Sequence, residues 1–299
     1  MLILNPHAGE GRQTEFARRA AAERPWLDLR ETTRAEDCPR LVQQAVEQRY
    51  DTIIVGGGDG TVHDVVNALA EHFDLTPGAG VRLAIMPLGT ANDLSKTLGL
   101  PREPAAALDL IERGPVRRID LLRAESARGV RHLINAASGG FSEQVNARLD
   151  DEQKERWGAL AYLRVGLDAL PEATMHRTRL VIDGEAFEMQ SCAVVVANGR
   201  YTGGMHVAPE AEIDDHRMDV GVVMAETIGE RAKLLAKAFV GTHMADEHIF
   251  YRRARKLEIH CDPPMRFNGD GEALGETPIT FKLLPGTLEM IAEERHEGT

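Results

Sequence analysis

An α/β domain followed by a β-rich, sandwich-like domain is the fold this sequence predicts, and three observations predict it. Within residues 1–120, short apolar runs alternate with helix-patterned segments, as parallel βαβ units require. Three of those runs end in loops of Gly, Asn, Asp and Thr, at 5–9, 56–61 and 87–93. From about Leu121 strand runs dominate, and helical patterning interrupts only at about Glu152–Leu170 and Ile228–Thr242. The predicted domains are therefore 1–120, to which 286–299 could return, and 121–285.

In the first domain, Leu2–Leu4 reads as a strand that enters the turn cluster Asn5-Pro6-His7-Ala8-Gly9, with a helix from about Gln13 to Glu23. Leu27–Glu31 is a second strand, followed by a helix from about Cys38 to Gln48. Thr52–Val55 precedes the glycine loop and a helix over Val62–His72. Arg82–Met86 then leads through Pro87–Asp93 to a helix beginning near Leu94. In the second domain, strands are expected at His132–Ala136, Thr178–Asp183, Ala186–Met189, Ala193–Ala197, Met218–Val223, Lys256–His260 and Ile279–Leu284. Asp183-Gly184 is a hairpin signal, and periodicity does not decide whether Thr287–Ala292 rejoins the first domain.

Composition narrows the function. The 299 residues exceed one small core, and 43% hydrophobic with 27% charged residues is ordinary for a globular chain. A net charge of −12 argues against a nucleic-acid partner, which would need basic patches to displace counterions. The densest positive cluster, Arg252, Arg253, Arg255 and Lys256, reads as a solvated strand edge or a local docking face. Cys38, Cys192 and Cys261 lie far apart without CxxC spacing, which disfavours disulfides or zinc and fits a reducing cytosol. The chain opens on a strand-like segment rather than a signal peptide, and its longest apolar run, Cys192–Ala197, is too short to span a bilayer. A soluble protein is expected.

The chemistry concentrates first at 51–67, where Thr52–Val55 runs into Gly56-Gly57-Gly58-Asp59-Gly60-Thr61 and then Val62-His63-Asp64-Val65-Val66-Asn67. A helix N-terminus offers unpaired N–H groups and partial positive charge, so such a turn can hold an anion. Glycines let the backbone approach phosphate oxygens. Asp59 would repel a bare phosphate and makes sense if it works through a metal ion. The structural alternative is a tight strand-to-helix turn. No Gly-Lys-Ser/Thr follows, so this is not a Walker A loop, and the Rossmann GxGxxG spacing is missing. If nucleotide binds here, backbone amides, the Thr61 and Thr90 hydroxyls and a metal must handle the phosphates.

Asn5-Pro6-x-Ala8-Gly9, Gly57-Gly58-Asp59-Gly60-Thr61 and Pro87-Leu88-Gly89-Thr90-Ala91-Asn92-Asp93 stand in series with four further motifs. These are Asn135-Ala-Ala-Ser-Gly-Gly-Phe141, Ala197-Asn198-Gly199 through Gly203-Gly204, Pro209-Glu210-Ala211, and Asp270-Gly271-Glu272. Together, and in this order over almost the whole chain, they resemble the diacylglycerol-kinase-like lipid kinases, especially the bacterial YegS-type branch. Gly-Gly-Asp-Gly-Thr alone is shared with NAD kinases.

The resemblance implies a two-domain ATP-dependent kinase with nucleotide in a cleft between the α/β and β-sandwich domains. Carried over position by position, it implies ATP contacts from Asn5, Pro6, His7, Ala8 and Gly9, from Gly57, Gly58, Asp59, Gly60, Thr61, Val62, His63 and Asn67, and from Thr90. Thr32 fits the family's threonine five residues before an aspartate, here Asp37, with Thr33 the fallback. Asp59 and Asp93 are implied near the phosphates and a catalytic Mg2+. Read from the residues alone, His63 and His72 are ordinary helix-face residues.

Asp270-Gly271-Glu272 is then the catalytic element: Glu272 the base for the lipid hydroxyl, Asp270 sharing that role or orienting metal and hydroxyl. The same tripeptide, Asp183-Gly184-Glu185, sits where a hairpin turn is expected, and sequence shape alone does not separate the two. Glu212-Ile213-Asp214-Asp215 resembles the family's structural Mg2+ site, with the Asp215 carboxylate and the backbone carbonyls of Glu212 and Arg217 as ligands. His216 replaces the family's usual glycine, and a positive φ there would cost about 1 kcal/mol or more. The helix Glu230–Thr242 carries Leu234, Leu235, Ala238 and Phe239 on one side, read as packing, with a membrane-facing role as the alternative.

The expected partners are ATP and a lipid at the membrane surface, with diacylglycerol or phosphatidylglycerol as acceptor. A homodimer stays open, and the expected location is cytoplasmic, peripheral to the inner face of the membrane. The alternatives are an NAD kinase-like phosphotransferase and a non-catalytic lipid- or nucleotide-binding module.

Overall fold

Buried parallel strands need apolar residues on both faces, and the first ninety residues supply them at regular intervals. The computed structural model describes residues 1–9, 12–34, 36–72, 80–148 and 159–293. The chain divides into two compact units, Met1–Asp120 with Pro285–Thr299, and Leu121–Leu284.

In the first unit, β1 (Leu2–Leu4), β2 (Leu29–Glu31), β3 (Thr52–Gly57) and β4 (Arg82–Pro87) form a parallel sheet in the order β2-β1-β3-β4. Helices α1 (Arg12–Glu23), α2 (Asp37–Glu47), α3 (Asp59–His72), α4 (Asp93–Leu98) and α5 (Pro104–Arg113) connect and follow the strands. Helix α5, with Pro104 in its first turn and Gly114 in left-handed conformation past its end, is not evident from the apolar runs alone. Its Leu108 and Leu110 are buried.

The second unit is a β-sandwich-like domain of antiparallel strands. One sheet runs β14 (Ile249–Ala254), β13 (Met218–Val223), β10 (Ala193–Ala197), β7 (Ala136–Gly140), β16 (Arg266–Gly269) and β17 (Glu272–Glu276). The other contains β15 (Lys256–Asp262) between β18 (Ile279–Ile291) and the hairpin β8 (His176–Ile182)–β9 (Glu185–Ser191). Strand β5 (Val116–Ser126) pairs β6 (Gly129–Leu133), and a small hairpin joins β11 (Tyr201–Thr202) to β12 (Met205–His206). Val194, Val196, Met218, Val220 and Phe267 of the first sheet meet Leu180, Leu257, Ile259 and Phe281 of the second in one core. The rings of Phe267 and Phe281 lie 5.9 Å apart. Helices α6 (Phe141–Arg148), α7 (Ala159–Ala169) and α8 (Ile228–Phe239) complete the unit.

One sequence expectation changes, and one question left open by periodicity is answered. The run His132–Ala136 is not one strand: β6 ends at Leu133 and β7 begins at Ala136, because the chain turns where its N–H groups meet Asp270. The segments around Ile279–Leu284 and Thr287–Ala292 belong to a single strand, β18, which passes through Pro285-Gly286 and pairs Met290 with Leu83 of β4. Gly286 takes φ 57° there and donates its N–H to Asp120 at 2.6 Å. Part of the helix expected over Glu152–Leu170 lies outside the described residues; the described part is α7.

Local polar devices fix the helices that flank the sites. Helix α8 opens with a capping box, in which the Thr227 hydroxyl accepts from Glu230 N (3.2 Å) and the Glu230 carboxylate accepts from Thr227 N (3.0 Å). Thr227→Ala should lower stability by about 1 kcal/mol, read from the urea unfolding midpoint. At the start of α2, Asp37 accepts from Thr33 Oγ1 (2.7 Å), Thr33 N (2.8 Å) and Arg34 N (3.3 Å), and pairs with Arg40 (3.2 Å). The Thr33 hydroxyl, with the neighbouring N–H groups and Arg40, holds this carboxyl well below the usual range. A depressed carboxyl stabilises the fold above its unfolded value of about 4, and that stabilisation is lost as pH falls below it. Asp37→Asn should therefore destabilise the protein at neutral pH, and its deficit against wild type should shrink towards about pH 3, as urea midpoints at the two pH values would show.

Candidate functional site

The carboxyl ends of parallel strands are where open α/β sheets bind ligands, and in the first unit three glycine-bearing loops meet there. Asn5 follows β1: its N–H donates to Gly56 O (2.8 Å), its side-chain amide donates to Thr61 Oγ1 (3.3 Å), and its Oδ1 accepts from His7 N (3.0 Å). The loops touch backbone to backbone. A Cβ added to Gly9, which has φ 64°, would lie 2.3 Å from Leu88 O, and one on Gly89 would lie 2.5 Å from Gly58 Cα. A Cβ on Gly57 would run into the Thr61 side chain at 2.5 Å. Glycine is required at these points because the approach leaves no room for a side chain. Asn92, at φ 49°, closes the third loop by accepting from Gly89 N (3.0 Å) and donating to Gly89 O.

Asp59 is the first residue of α3, and its Oδ1 accepts from Leu94 N at 3.2 Å, tying the glycine turn to the start of α4. Asp93 is buried, with Lys96 Nζ 3.6 Å from its Oδ1. Gly60 faces open space and Thr90 is exposed. Asn5, Gly9, Gly57, Gly58, Asp59, Thr61 and Asp93 thus share one corner of the first unit, Pro6, His7 and Ala8 complete its first loop, and Val62 is buried one residue further on. His63 is buried within α3, where the Asn67 amide donates to His63 O (3.1 Å) and lies 3.2 Å from its ring Nε2. Thr32 is buried beside β1, donating its N–H (2.9 Å) and hydroxyl (3.4 Å) to Leu4 O, whereas the hydroxyl that pairs Asp37 is that of Thr33. The donor set of the corner, a carboxylate and a hydroxyl on glycine loops packed backbone to backbone at a helix start, fits a nucleotide's phosphates carrying Mg2+.

The second unit holds the other polar corner. Asp270, at φ 46°, stands in the turn between β16 and β17. Its carboxylate accepts from Ile134 N (2.6 Å), Asn135 N (3.1 Å) and Ala136 N (3.0 Å), and its own N–H donates to Ala136 O (3.0 Å). Asn198 holds the same segment from the other side: its amide donates to Ile134 O (2.8 Å), and its N–H and that of Gly199 donate to Asn135 O (2.8 Å each). Glu272, two residues after Asp270, is exposed and begins β17.

Near this corner lies a cavity of about 150 Å3 that is almost wholly apolar. Phe141 and Val145 of α6, Val195 of β10, and Leu234, Leu235 and Ala238 of α8 line it, with Ser138 on β7 among the few polar groups. Ser138 pairs in register with Asn268, four residues before Glu272. Gly166 of α7 lies so close to Leu235 that a Cβ would fall 2.8 Å from it. Buried Arg231 donates to the carbonyls of Ala225 (3.1 Å), Leu170 and Ala173 (3.3 Å each). Sequence reading did not identify this cavity, whose walls come from segments up to about a hundred residues apart.

At the third predicted position, Asp215 Oδ1 accepts from Arg217 N (2.9 Å), Arg253 lies 3.4 Å from Oδ2, and Asp215 N donates to Glu212 O (3.4 Å). His216 does adopt a positive φ, 62°. Buried Asp219 alongside accepts from Tyr251 Oη, and burial pushes its carboxyl up. A divalent ion here would meet competition, because Arg253 already supplies positive charge to Asp215. The basic run 252–256 is largely absorbed in such contacts, with Arg252 over the Phe250 ring at 5.0 Å and Lys256 paired to Glu258 at 2.7 Å.

Comparison with known proteins agrees with this anatomy. Residues 1–124 match the family described as diacylglycerol kinase catalytic domain, and residues 135–292 match the YegS C-terminal NAD kinase beta sandwich-like domain. A protein of Pseudomonas fluorescens named "Probable lipid kinase YegS-like" is 36% identical over 94% of this chain and 90% of its own length. One of the same name from Pseudomonas aeruginosa is 34% identical over 97% and 93%. The crystal structure of a diacylglycerol kinase from Bacillus anthracis str. Sterne superposes with a TM-score of 0.74 at 28% identity, covering 98% of this chain and 96% of that one. Another structure from the same organism reaches 0.80 at 31% identity, covering 98% and 94%. With the glycine corner in one unit, the Asp270–Glu272 turn in the other and both family matches spanning them, this chain belongs to the YegS-type, diacylglycerol-kinase-like lipid kinases.

Proposed function

We propose that this protein transfers the γ-phosphate of ATP to the hydroxyl of a lipid, with diacylglycerol, giving phosphatidic acid, or phosphatidylglycerol as acceptor. The observation that carries the lipid half of this reading is the apolar cavity beside Phe141, Val195 and Leu234. A soluble dinucleotide acceptor has no use for such a surface, whereas an acyl chain gains about 0.8 kcal/mol for each methylene it buries. Ser138 in its wall is opposite Asn268 in the strand that leads to Glu272, so a chain in the cavity and a hydroxyl at that carboxylate can belong to one molecule.

The roles follow from which groups are already engaged. Both Asp270 oxygens are taken by backbone N–H donors, so Asp270 is a positioning residue. Glu272, in no hydrogen bond or ion pair with another described residue, is the base. As the acceptor oxygen bonds to the γ-phosphorus, the bond from that phosphorus to the bridging oxygen breaks and ADP leaves with the electron pair. The acceptor's proton passes to the Glu272 carboxylate. In the first unit, the N–H groups of the glycine turn, Thr61 and the Asn5 loop bind and orient the phosphates. Asp59 and Asp93 are the carboxylates available to hold a catalytic Mg2+, which when bound neutralises charge on the phosphate oxygens. A second, structural Mg2+ at Asp215 with the carbonyls of Glu212 and Arg217 would have to displace Arg253, and no step depends on it.

No helix among the described residues is long and apolar enough to cross a membrane. We therefore propose access to lipid from the bilayer surface, supported by exposed Phe239 and Val240 at the end of α8, the helix whose Leu234, Leu235 and Ala238 line the cavity. The test is transfer of label from ATP into mixed lipid vesicles. Glu272→Ala and Asp59→Ala should each lower turnover by about a hundredfold or more. Asp270→Asn should lower kcat with little change in the pH profile. Undiminished transfer by the Glu272 and Asp59 variants would sink the site, and absence of transfer to any lipid would sink the function.

A further inference from the structure

Glu272 also lines a second cavity in the same unit, polar and about 350 Å3 in volume, which it shares with Ser126, Arg128, Gly129 and Arg131 of the β5–β6 hairpin. The hairpin tip is pinned to the strand that carries Glu272. Ser126 Oγ donates to Leu274 O at 2.6 Å and accepts from Arg128 N at 3.1 Å. The Arg128 stem lies across the backbone of Gly275, where an added Cβ would fall 3.1 and 3.2 Å from Arg128 Cγ and Cδ. Gly275 also has φ 105°, a backbone conformation that favours glycine, and an added side chain would have to push the Arg128 stem aside. Arg131 Nη1 donates to Val130 O at 2.9 Å.

Arg128, Arg131 and Glu272 therefore line one cavity, and no ion pair joins either arginine to Glu272 or to any other described carboxylate. An ion pair between exposed side chains is worth little, so unpaired guanidinium groups here stay available to another anion. With the hairpin tip tied through Ser126 and the Arg128 stem lying against Gly275, the cavity has room for a molecule that satisfies both signs. Such a molecule presents a hydroxyl to Glu272 and anionic oxygens to the arginines. Planar guanidinium forks match the oxygens of a phosphate.

We infer that the cavity beside Glu272 is a phosphate-ester oxyanion site, with Arg128 and Arg131 as its ligands. Its link to turnover rests on the kinase reading above; its ability to bind phosphate esters does not. The oxygens have two possible sources of the same chemistry, the acceptor lipid's own headgroup phosphodiester or the phosphoryl group being transferred.

The binding arm uses glycerol 3-phosphate as probe, titrated to about 10 mM and followed by phosphorus NMR. Wild type should bind it, more weakly as salt rises from about 50 to 200 mM. The double variant R128A/R131A, altered only at exposed side chains and checked for an unchanged unfolding midpoint, should bind it about tenfold or more weakly. The turnover arm compares diacylglycerol with an anionic glycerophospholipid bearing a free headgroup hydroxyl, each in neutral phosphatidylcholine vesicles. Loss confined to the anionic acceptor assigns the headgroup as the source; an equal fall in kcat for both assigns the transferred phosphoryl. Glycerol 3-phosphate binding that is absent from wild type, or the same in R128A/R131A, overturns the site. If wild type phosphorylates no lipid at all, the kinase reading fails while the binding arm still decides the site.

Discussion

Three backbone N–H groups converge on the Asp270 carboxylate, and the acceptor side of the second unit depends on that convergence. Ile134, Asn135 and Ala136 sit where β6 ends and β7 begins, so their donors have no ladder partner of their own at this point. Buried N–H groups left without acceptors would cost about 1–3 kcal/mol each. Asp270 satisfies all three with one charged group, and Asn198 and Gly199 hold the carbonyls of the same segment. The turn is fixed from both sides, and Glu272 leaves it at the first position of β17. The carboxylate most rigidly placed is thus the one whose oxygens are already engaged.

The first unit reaches a fixed site by the opposite means. Its corner relies less on charge than on the absence of side chains: Gly9 against Leu88, Gly58 against Gly89, Gly57 against Thr61. Strands set about 4.8 Å apart bring the three loops together, and glycine lets them touch. The product is a close-packed glycine floor at the start of α3. In a chain of net charge −12, local amides and a helix dipole are what can make a polyanion welcome. Asp59 is compatible with that floor because its Oδ1 is engaged by Leu94 N.

Much of this was legible in the sequence, for a physical reason. Parallel strands buried on both faces, such as Thr52–Gly57 and Arg82–Pro87, must be continuous apolar runs, and their loops must carry the residues that permit close approach. The second unit was harder to read. Arg266–Gly269 and Glu272–Glu276 contain too much Gly, Asn and Glu to look like strands, and Ile249–Ala254 is masked by its arginines. The turn inside 132–136 is set by a carboxylate more than 130 residues away, which no local pattern can announce. The bond from the Thr33 hydroxyl to Asp37 is a local contact of the same kind, invisible in the spacing of the two residues. The apolar cavity is beyond sequence reading altogether, because helices α6 and α8 and strand β10 contribute ordinary core residues to it.

The repeated tripeptide separates what the motif itself supplies from what its surroundings supply. Asp183-Gly184 and Asp270-Gly271 adopt nearly the same backbone, with φ of 48° and 95° in the first and 46° and 93° in the second. Their aspartates also do the same work: Asp183 accepts from Arg255 N (3.0 Å) and Lys256 N (2.8 Å), as Asp270 accepts from residues 134–136. Position in a turn and a structural task for the aspartate are therefore common to both, and neither can be what distinguishes a catalytic element. The difference lies in what the glutamate meets. Glu185 begins an exposed hairpin strand, whereas Glu272 opens onto a cavity with Arg128 and Arg131 and follows the strand paired with Ser138. An identical motif stands on an exposed hairpin in one setting and beside a cavity in the other, because the β5–β6 hairpin, paired in a different sheet, lines the space next to Glu272.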